Sequence, residues 1–337
     1  MKVIVDPLGN ILYKSFYIYG LEHYKGIDTV SYSSAPFCEL SENVRNSKSL
    51  RFITRMNGVE KRCVINCNDS YQICPELYDW CDVYGSVNAN FALTDEKYHS
   101  KLVSLCPSFA IRCWSIPKTL CMCFRKQNVS NGSIRKHIGK YKRLLQRPQY
   151  ESYIENIDVD NNYLFHLSTK WIGDEWNQND ETVNLTRARF IRACKSIGDM
   201  NFEGGLLLSA NDRNIEPFMD CGSAGVSPQE WLYKTKQSMC VFNTPAYWRC
   251  HGWKLGEYMA LGKAIISTTL FNDLPAPLVH GEHIHFVEDN QEALVDAVRY
   301  LHNHQEYRRR LEGNISKYWN QYGTPMASIK MLLDYDT

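Results

Sequence analysis

The sequence predicts an α/β protein built from two doubly wound units, and three observations carry that prediction. After Tyr150, short apolar runs alternate with segments of helical periodicity. The runs are apolar throughout rather than at every second residue, as parallel strands covered on both faces require. A chain of 337 residues is also long for a single core, which favours two domains.

Taken in order, Met1 to Asp6 ("MKVIVD") reads as a buried strand and Pro7 to Asn10 as the turn after it. Arg62 to Asn66 is a second strand candidate, and the region after it mixes loops with short helices. Ile134, Ile138, Tyr141 and Leu145 lie at offsets 0, 4, 7 and 11, one face of a helix that Ser133 caps and Pro148 stops. A strand follows at Tyr163 to Leu167. The next helix has Leu185, Ala188, Ile191 and Cys194 on one side and Gly198 past its end. Gly204 to Ser209 is a strand, and Ser227 with Pro228 opens another helix. Strands at Met239 to Asn243, Ala264 to Ser267 and Ile284 to Val287 complete the second unit, before a helix capped at Asp289 or Asn290. The second half is therefore expected to be a Rossmann-like α/β unit, and the first half another.

Hydrophobic residues make up 44% of the chain and charged ones 22%, ordinary values for a globular protein. A net charge of +1 provides no overall field that selects nucleic acid or membrane, and no nucleic-acid partner is expected. No apolar run reaches the ~18 residues of a membrane span, and the N-terminal run is too short for a signal peptide. The thirteen cysteines are odd in number and irregularly spaced, which reads as reduced thiols in the cytoplasm. Neither Cys63, Cys67, Cys74 and Cys81 nor the pair Cys121 and Cys123 has paired zinc-ligand spacing, so no metal is expected.

Charge is unevenly placed. Lys97 to Tyr150 contains twelve Lys and Arg and no Asp or Glu. The amphipathic helix inside it suits the inner face of an anionic membrane, or else turns its apolar stripe to the core.

The segment "PAYWRCHGWKLGEYMALGKAIIST", Pro245 to Thr268, concentrates the chemistry. A helix beginning near Gly252 directly after a strand presents its first amides, those of Gly252, Trp253 and Lys254, with the positive end of its dipole behind them. That combination holds anions such as phosphate. Glu257 lies five residues on, about 7.5 Å along the axis, placed for the hydroxyls of a ribose. Gly262 ends the helix. An ordinary amphipathic helix with an exposed glutamate fits the same residues.

This segment resembles the donor-site motif of GT-B glycosyltransferases that use sugar nucleotides, the bacterial group 1 or family 4-like pattern "P-S-x-x-E-G-F-G-x-x-x-x-E-A-x-A-x-G-x-P-V-I". Pro245, Gly252, Glu257, Ala260, Gly262, Ile265 and Ile266 fall on its fixed positions without a gap. The resemblance is strong from Pro245 to about Leu270 and weaker elsewhere. It implies a GT-B fold: an acceptor domain over residues 1–155, a nucleotide-sugar donor domain over 156–317, a cleft between them, and a last helix over 318–337 packing back on the first domain.

By the same resemblance, Glu257 binds the ribose, the amides around Gly252 the donor diphosphate, and Lys170 supplies a cation there. Asn243 and Thr244 line the nucleotide pocket, and Gly9 and Asn10 face the acceptor. The implied activity is metal-independent transfer of a sugar, hexosyltransferase-like, from a nucleotide donor to a glycan or lipid-linked acceptor, with no cofactor. The family's first glutamate is replaced by Arg249, which accepts no hydrogen bond and instead suits an anionic group. Arg249 and His251 are the residues nearest the expected reacting sugar, although a histidine in this loop also reads as merely exposed. Retention or inversion stays open. A sugar-nucleotide epimerase and a binding module without turnover are the alternatives.

Overall fold

The computed structural model describes residues 1–125, 134–155, 157–171, 178–209 and 215–335. The chain forms two compact units: Met1–Ser152 with Asn272–Pro277 and Asn320–Thr337, and Tyr153–Phe271 with Leu278–Trp319.

The first unit is built on a six-stranded sheet. Its strands are β1 (Lys2–Val5), β2 (Thr29–Tyr32), β3 (Leu50–Met56), β4 (Val59–Asn66), β5 (Val83–Ser86) and β6 (Leu102–Ser104), in the order β2-β1-β3-β4-β5-β6. This sheet is mixed, because β3 runs antiparallel to both β1 and β4. The cause is a two-residue hairpin turn, Asn57-Gly58, with φ of 52° and 82°. Paired positive φ values are what matches a tight turn to the twist of its strands. Helices α1 (Ile11–His23), α2 (Glu42–Arg45), α3 (Pro75–Trp80), α4 (Ile116–Phe124) and α5 (Ile134–Leu145) belong to this unit, and α6 (Glu151–Ile154) lies where the chain leaves it. The C-terminal helix α12 (Pro325–Leu333) packs on α1. Gly20 permits that approach, since a Cβ there would stand 2.5 Å from the Pro325 carbonyl oxygen.

Within α5 the apolar stripe divides. Of its four residues Tyr141 is buried and Leu145 half-buried, whereas Ile134 and Ile138 are exposed; Leu144, beside the stripe, is buried as well. Ser133, expected to cap this helix, lies outside the described residues.

The second unit carries β7 (Tyr163–Thr169), β8 (Asn201–Leu207) and β9 (Gly222–Ser223) as one parallel ladder, and β10 (Val241–Asn243), β11 (Ile265–Ser267) and β12 (His285–Phe286) as another. Ser238 joins the two. Its Oγ accepts from Phe165 N at 2.9 Å and donates to Cys240 O at 2.8 Å, while Met239 N donates to Tyr163 O at 2.8 Å. The strands therefore run β9-β8-β7-β10-β11-β12, the doubly wound order whose direction reverses between β7 and β10. Helices α7 (Gln178–Ser196), α8 (Pro228–Gln237), α9 (Trp253–Ala260), α10 (Gln291–Asn303) and α11 (Gln305–Tyr318) belong to this unit. Its core includes Phe190 stacked on Phe242, ring centroids 4.1 Å apart.

Gly262 closes α9 with a φ of +61°, and a Cβ there would stand 2.4 Å from Ser316 Oγ. A Gly262→Ala variant is expected to lose about 1–2 kcal/mol, mostly from the left-handed backbone. A melting curve checks this; an unchanged midpoint would contradict it. Among the described residues no helix is long and apolar enough to cross a membrane.

Candidate functional site

The site is built at the reversal between β7 and β10, where open α/β sheets bind ligands beyond the carboxyl ends of their strands. Gly252 is the N-cap of α9, and no side chain caps that end. Its φ of −77° suits any residue. An added Cβ would meet only Ala246 Cβ, at 3.4 Å. The fold itself therefore does not demand glycine at this position.

Basic side chains gather at the last residues of β7. Lys254, in the first turn of α9, donates to Leu167 O and to Ser168 Oγ, the latter at 3.1 Å. Ser168 Oγ also meets His166 Nε2 at 2.8 Å, and Arg187 Nη1 donates to Thr169 O at 2.7 Å. Burial, and then the Arg187 charge, push the Lys254 ammonium down to about 7, against the opposing pull of Glu257. Burial lowers Arg187 to about 10. His166 is pushed well below its ordinary value by burial and then by Lys254 and Arg187, so its ring is neutral at pH 7. The end of β7 thus gathers basic groups in a poorly solvated setting, where Arg187 keeps its charge at pH 7 and Lys254 titrates near neutrality.

Glu257 is buried on α9, and its Oε1 accepts from Tyr153 OH at 3.2 Å. Asn243, at the end of β10, donates through Nδ2 to Ser267 Oγ at 2.9 Å. Thr244 Oγ1 accepts from Thr268 Oγ1 at 3.1 Å. Lys170 is buried, with its ammonium 5.8 Å from the centre of the Phe218 ring.

A cavity of about 530 Å³ opens beyond β10, β11 and β12. Thr244, Arg249, Thr268, Phe271 and Asp289 are among its walls, together with Thr182 and Thr186 of α7. Trp248 and Arg249 both take positive φ, 54° and 56°, in the loop leading to α9. Such backbone is sparsely populated by residues with a Cβ and gathers at functional loops. The Arg249 guanidinium lies 4.9 Å from the Phe271 ring centre, a cation–π contact. Trp171 stacks on Tyr247 of the same loop at 5.8 Å.

Of the residues expected from the sequence, Thr244 and Arg249 share this cavity, while Gly252, Trp253, Lys254 and Glu257 are not among its walls. His251 is buried, which corrects its reading as an exposed loop residue. Gly9 and Asn10 belong to the first unit. Gly9 has a φ of +105°, and Asn10 caps α1 by accepting from Leu12 N at 3.2 Å.

Sequence reasoning missed Arg187, His166 and Tyr153, which no local spacing marks as site residues. It also missed the Asp-x-Asp pair Asp158 and Asp160. That pair precedes β7 at its amino end, where Asp160 Oδ1 accepts from Asn162 N at 2.9 Å. Among the described residues, no three His, Cys, Asp or Glu side chains are arranged to hold a metal ion.

No family model matches the chain, and no curated protein does. Among solved structures, it is similar to the C-terminal domain of a glycosyl transferase group 1 family protein from Francisella tularensis, at 13% identity over 49% of this chain and 87% of that one, TM-score 0.34. It is similar to a glycosyltransferase from Rickettsia africae at 12% identity, over 79% of this chain and 69% of that one, TM-score 0.41. It is also similar to UDP-GlcNAc 2-epimerase from Neisseria meningitidis, solved bound to UDP-GlcNAc, at 12% identity over 99% and 100% of the two chains, TM-score 0.46.

Proposed function

We propose that this chain is a glycosyltransferase that takes its sugar from a nucleotide donor. The observation that carries the reading is the seat of α9: its uncapped N-terminus lies at the strand-order reversal, and a buried carboxylate, Glu257, lies on its flank. In this reading the amides of Gly252, Trp253 and Lys254, with Lys170, hold the diphosphate, and Glu257 takes the ribose hydroxyls. Asn243 and Thr244 border the nucleoside, whose neighbouring space is the cavity beyond β10. Because the fold does not require a glycine at 252, its missing side chain fits close approach by a ligand.

Lys254 acts mainly by position. Its amino group is committed to Leu167 O and Ser168 Oγ, so it locks the start of α9 to the end of β7. An acceptor hydroxyl oxygen bonds to the anomeric carbon and releases its proton to solvent or to the departing phosphate, while the bond joining the sugar to the diphosphate breaks and negative charge grows on the leaving phosphate. Fixed amides and buried cations stabilise that charge without reorganisation. Gly9 and Asn10 are proposed to border the acceptor, a glycan or lipid-linked glycan.

A thermal-shift panel of nucleoside diphosphates, followed by turnover of the donor that binds, tests the reading. Binding without turnover for every donor and acceptor would favour a binding module instead.

Arg249 and His251 are proposed to face the transferred sugar. Arg249 replaces a carboxylate in the resembling motif, so it suits an anionic donor or acceptor group. An Arg249→Lys variant keeps the charge but loses the planar fork. It is expected to reduce turnover about tenfold while leaving nucleoside-diphosphate affinity nearly unchanged. Full activity in that variant would make the arginine structural.

A further inference from the structure

Helices α4 and α5 pack against each other in the first unit, and their outer faces carry a row of apolar side chains. On α4, Ile116, Leu120 and Phe124 follow one another at four-residue spacing, so they share a face. They are 53%, 44% and 72% exposed, and on α5 Ile134 and Ile138 are 62% and 45% exposed. The opposite sides of the same helices are buried, through Thr119, Met122 and Cys123 on α4 and Tyr141 and Leu144 on α5. His137 Nε2 meets the Cys123 carbonyl at 3.0 Å, which ties the first turns of α5 to the end of α4. Phe124, Ile134 and Ile138 are thereby held in one region.

The charged residues of α4 and α5 themselves are all of one sign. Arg125, Arg135, Lys136, Lys142 and Arg143 are exposed, and the stretch from Lys97 to Tyr150 contains no Asp or Glu. Lys118 is taken by Glu22 of α1 at 2.8 Å, but the cations of α5 crowd one another. Burial, and then Arg143 and Lys136, lower the Lys140 ammonium below its ordinary value.

We propose that α4 and α5 form a docking face for an anionic lipid bilayer. Exposed Ile, Leu and Phe flanked by Lys and Arg match an interfacial helix pair: the apolar side chains enter the acyl boundary and the cations meet lipid phosphates. A second copy of the chain is a poor occupant, because pairing two such faces sets like charges against each other. Nucleic acid satisfies the cations but leaves the Ile and Phe side chains without a role. The inference rests on the first unit alone and stands or falls separately from the donor-site reading.

The test is sedimentation of the full chain with vesicles of phosphatidylcholine alone and with about one third phosphatidylglycerol, at low and high salt. The chain is expected to pellet with the anionic vesicles at low salt and to be released at high salt. A Phe124→Asp/Ile138→Asp double variant is expected to lose at least about tenfold in binding. In Arg135→Glu/Lys136→Glu, the loss is about fivefold for each charge removed, and reversal adds to it. Unchanged melting curves show that these exposed substitutions leave the fold intact. If the double variant fails to fold, Phe124→Ser alone takes its place.

Several results would overturn the proposal: no pelleting with either vesicle, equal pelleting with both, or full binding by the apolar variant. Tight binding of a nucleic-acid duplex that the apolar substitutions leave untouched would do so as well.

Discussion

Replacing Asp6 with asparagine is expected to destabilise the first unit by about 3–5 kcal/mol, the usual effect of removing one partner from a buried ion pair. Asp6 and Arg51 are fully buried, with Arg51 Nε 2.9 Å from Asp6 Oδ2 and Arg45 Nη2 3.0 Å from Asp6 Oδ1. The other donors of Arg51 go to Val44 O, Ser49 Oγ, Leu8 O and Arg45 O, and Lys14 donates to Asp6 O and Leu8 O. Without the carboxylate, these cations retain only neutral acceptors in a low-dielectric interior.

The same network sets a pH dependence. Burial raises the Asp6 carboxyl, but the Arg45 hydrogen bond and then the charges of Arg51, Lys14 and Arg45 outweigh it, so the carboxyl titrates below its ordinary value. A depressed acid contributes stability that is present above the unfolded value and lost as pH falls through the folded one. Denaturant titrations from neutral to acid pH check both statements. Glu60→Gln, at an exposed pair with Arg55, is the control and should move the midpoint little. Equal effects of the two substitutions would contradict the account.

Glu257→Gln is expected to weaken nucleotide binding roughly tenfold to a hundredfold, because each hydrogen bond to a charged group contributes about 1.5–3 kcal/mol. The variant keeps a carbonyl oxygen for Tyr153 OH, so its stability should change less than its affinity. Glu230→Gln is the comparison: that glutamate is exposed and pairs with Lys234 at 2.8 Å on α8. Calorimetric titration of both variants with the diphosphate that stabilises the native chain separates the outcomes. Equal affinities would remove Glu257 from the nucleotide site.

The sequence by itself determined those features that rest on neighbours along the chain. Gly252 and Gly262 bound α9 because an N-cap takes extended backbone and a C′ residue takes positive φ, and both are local requirements. Ser227 with Pro228, and Asn290, open α8 and α10 through hydrogen bonds to amides three residues ahead. Five of the six strands of the second unit were legible as apolar runs; β9, two residues long, was not, and the Asn57-Gly58 turn, though a local signal, went unread.

What only the tertiary structure decided is long-range. The hairpin makes β3 antiparallel to β4, but that β3 also pairs with β1, and so enters between the two, depends on long-range pairing no spacing encodes. The strand-order reversal is seen only once the long-range contacts of Ser238 and Met239 place β10 beside β7. Lys254 spends its ammonium on Leu167 O, 87 residues away, rather than standing free beside an anion. Glu257 is buried against Tyr153 rather than lying on an exposed face. Nor does periodicity tell which half of the α5 stripe meets the core: it locates an apolar face, but the packing of the other elements determines how much of that face is covered.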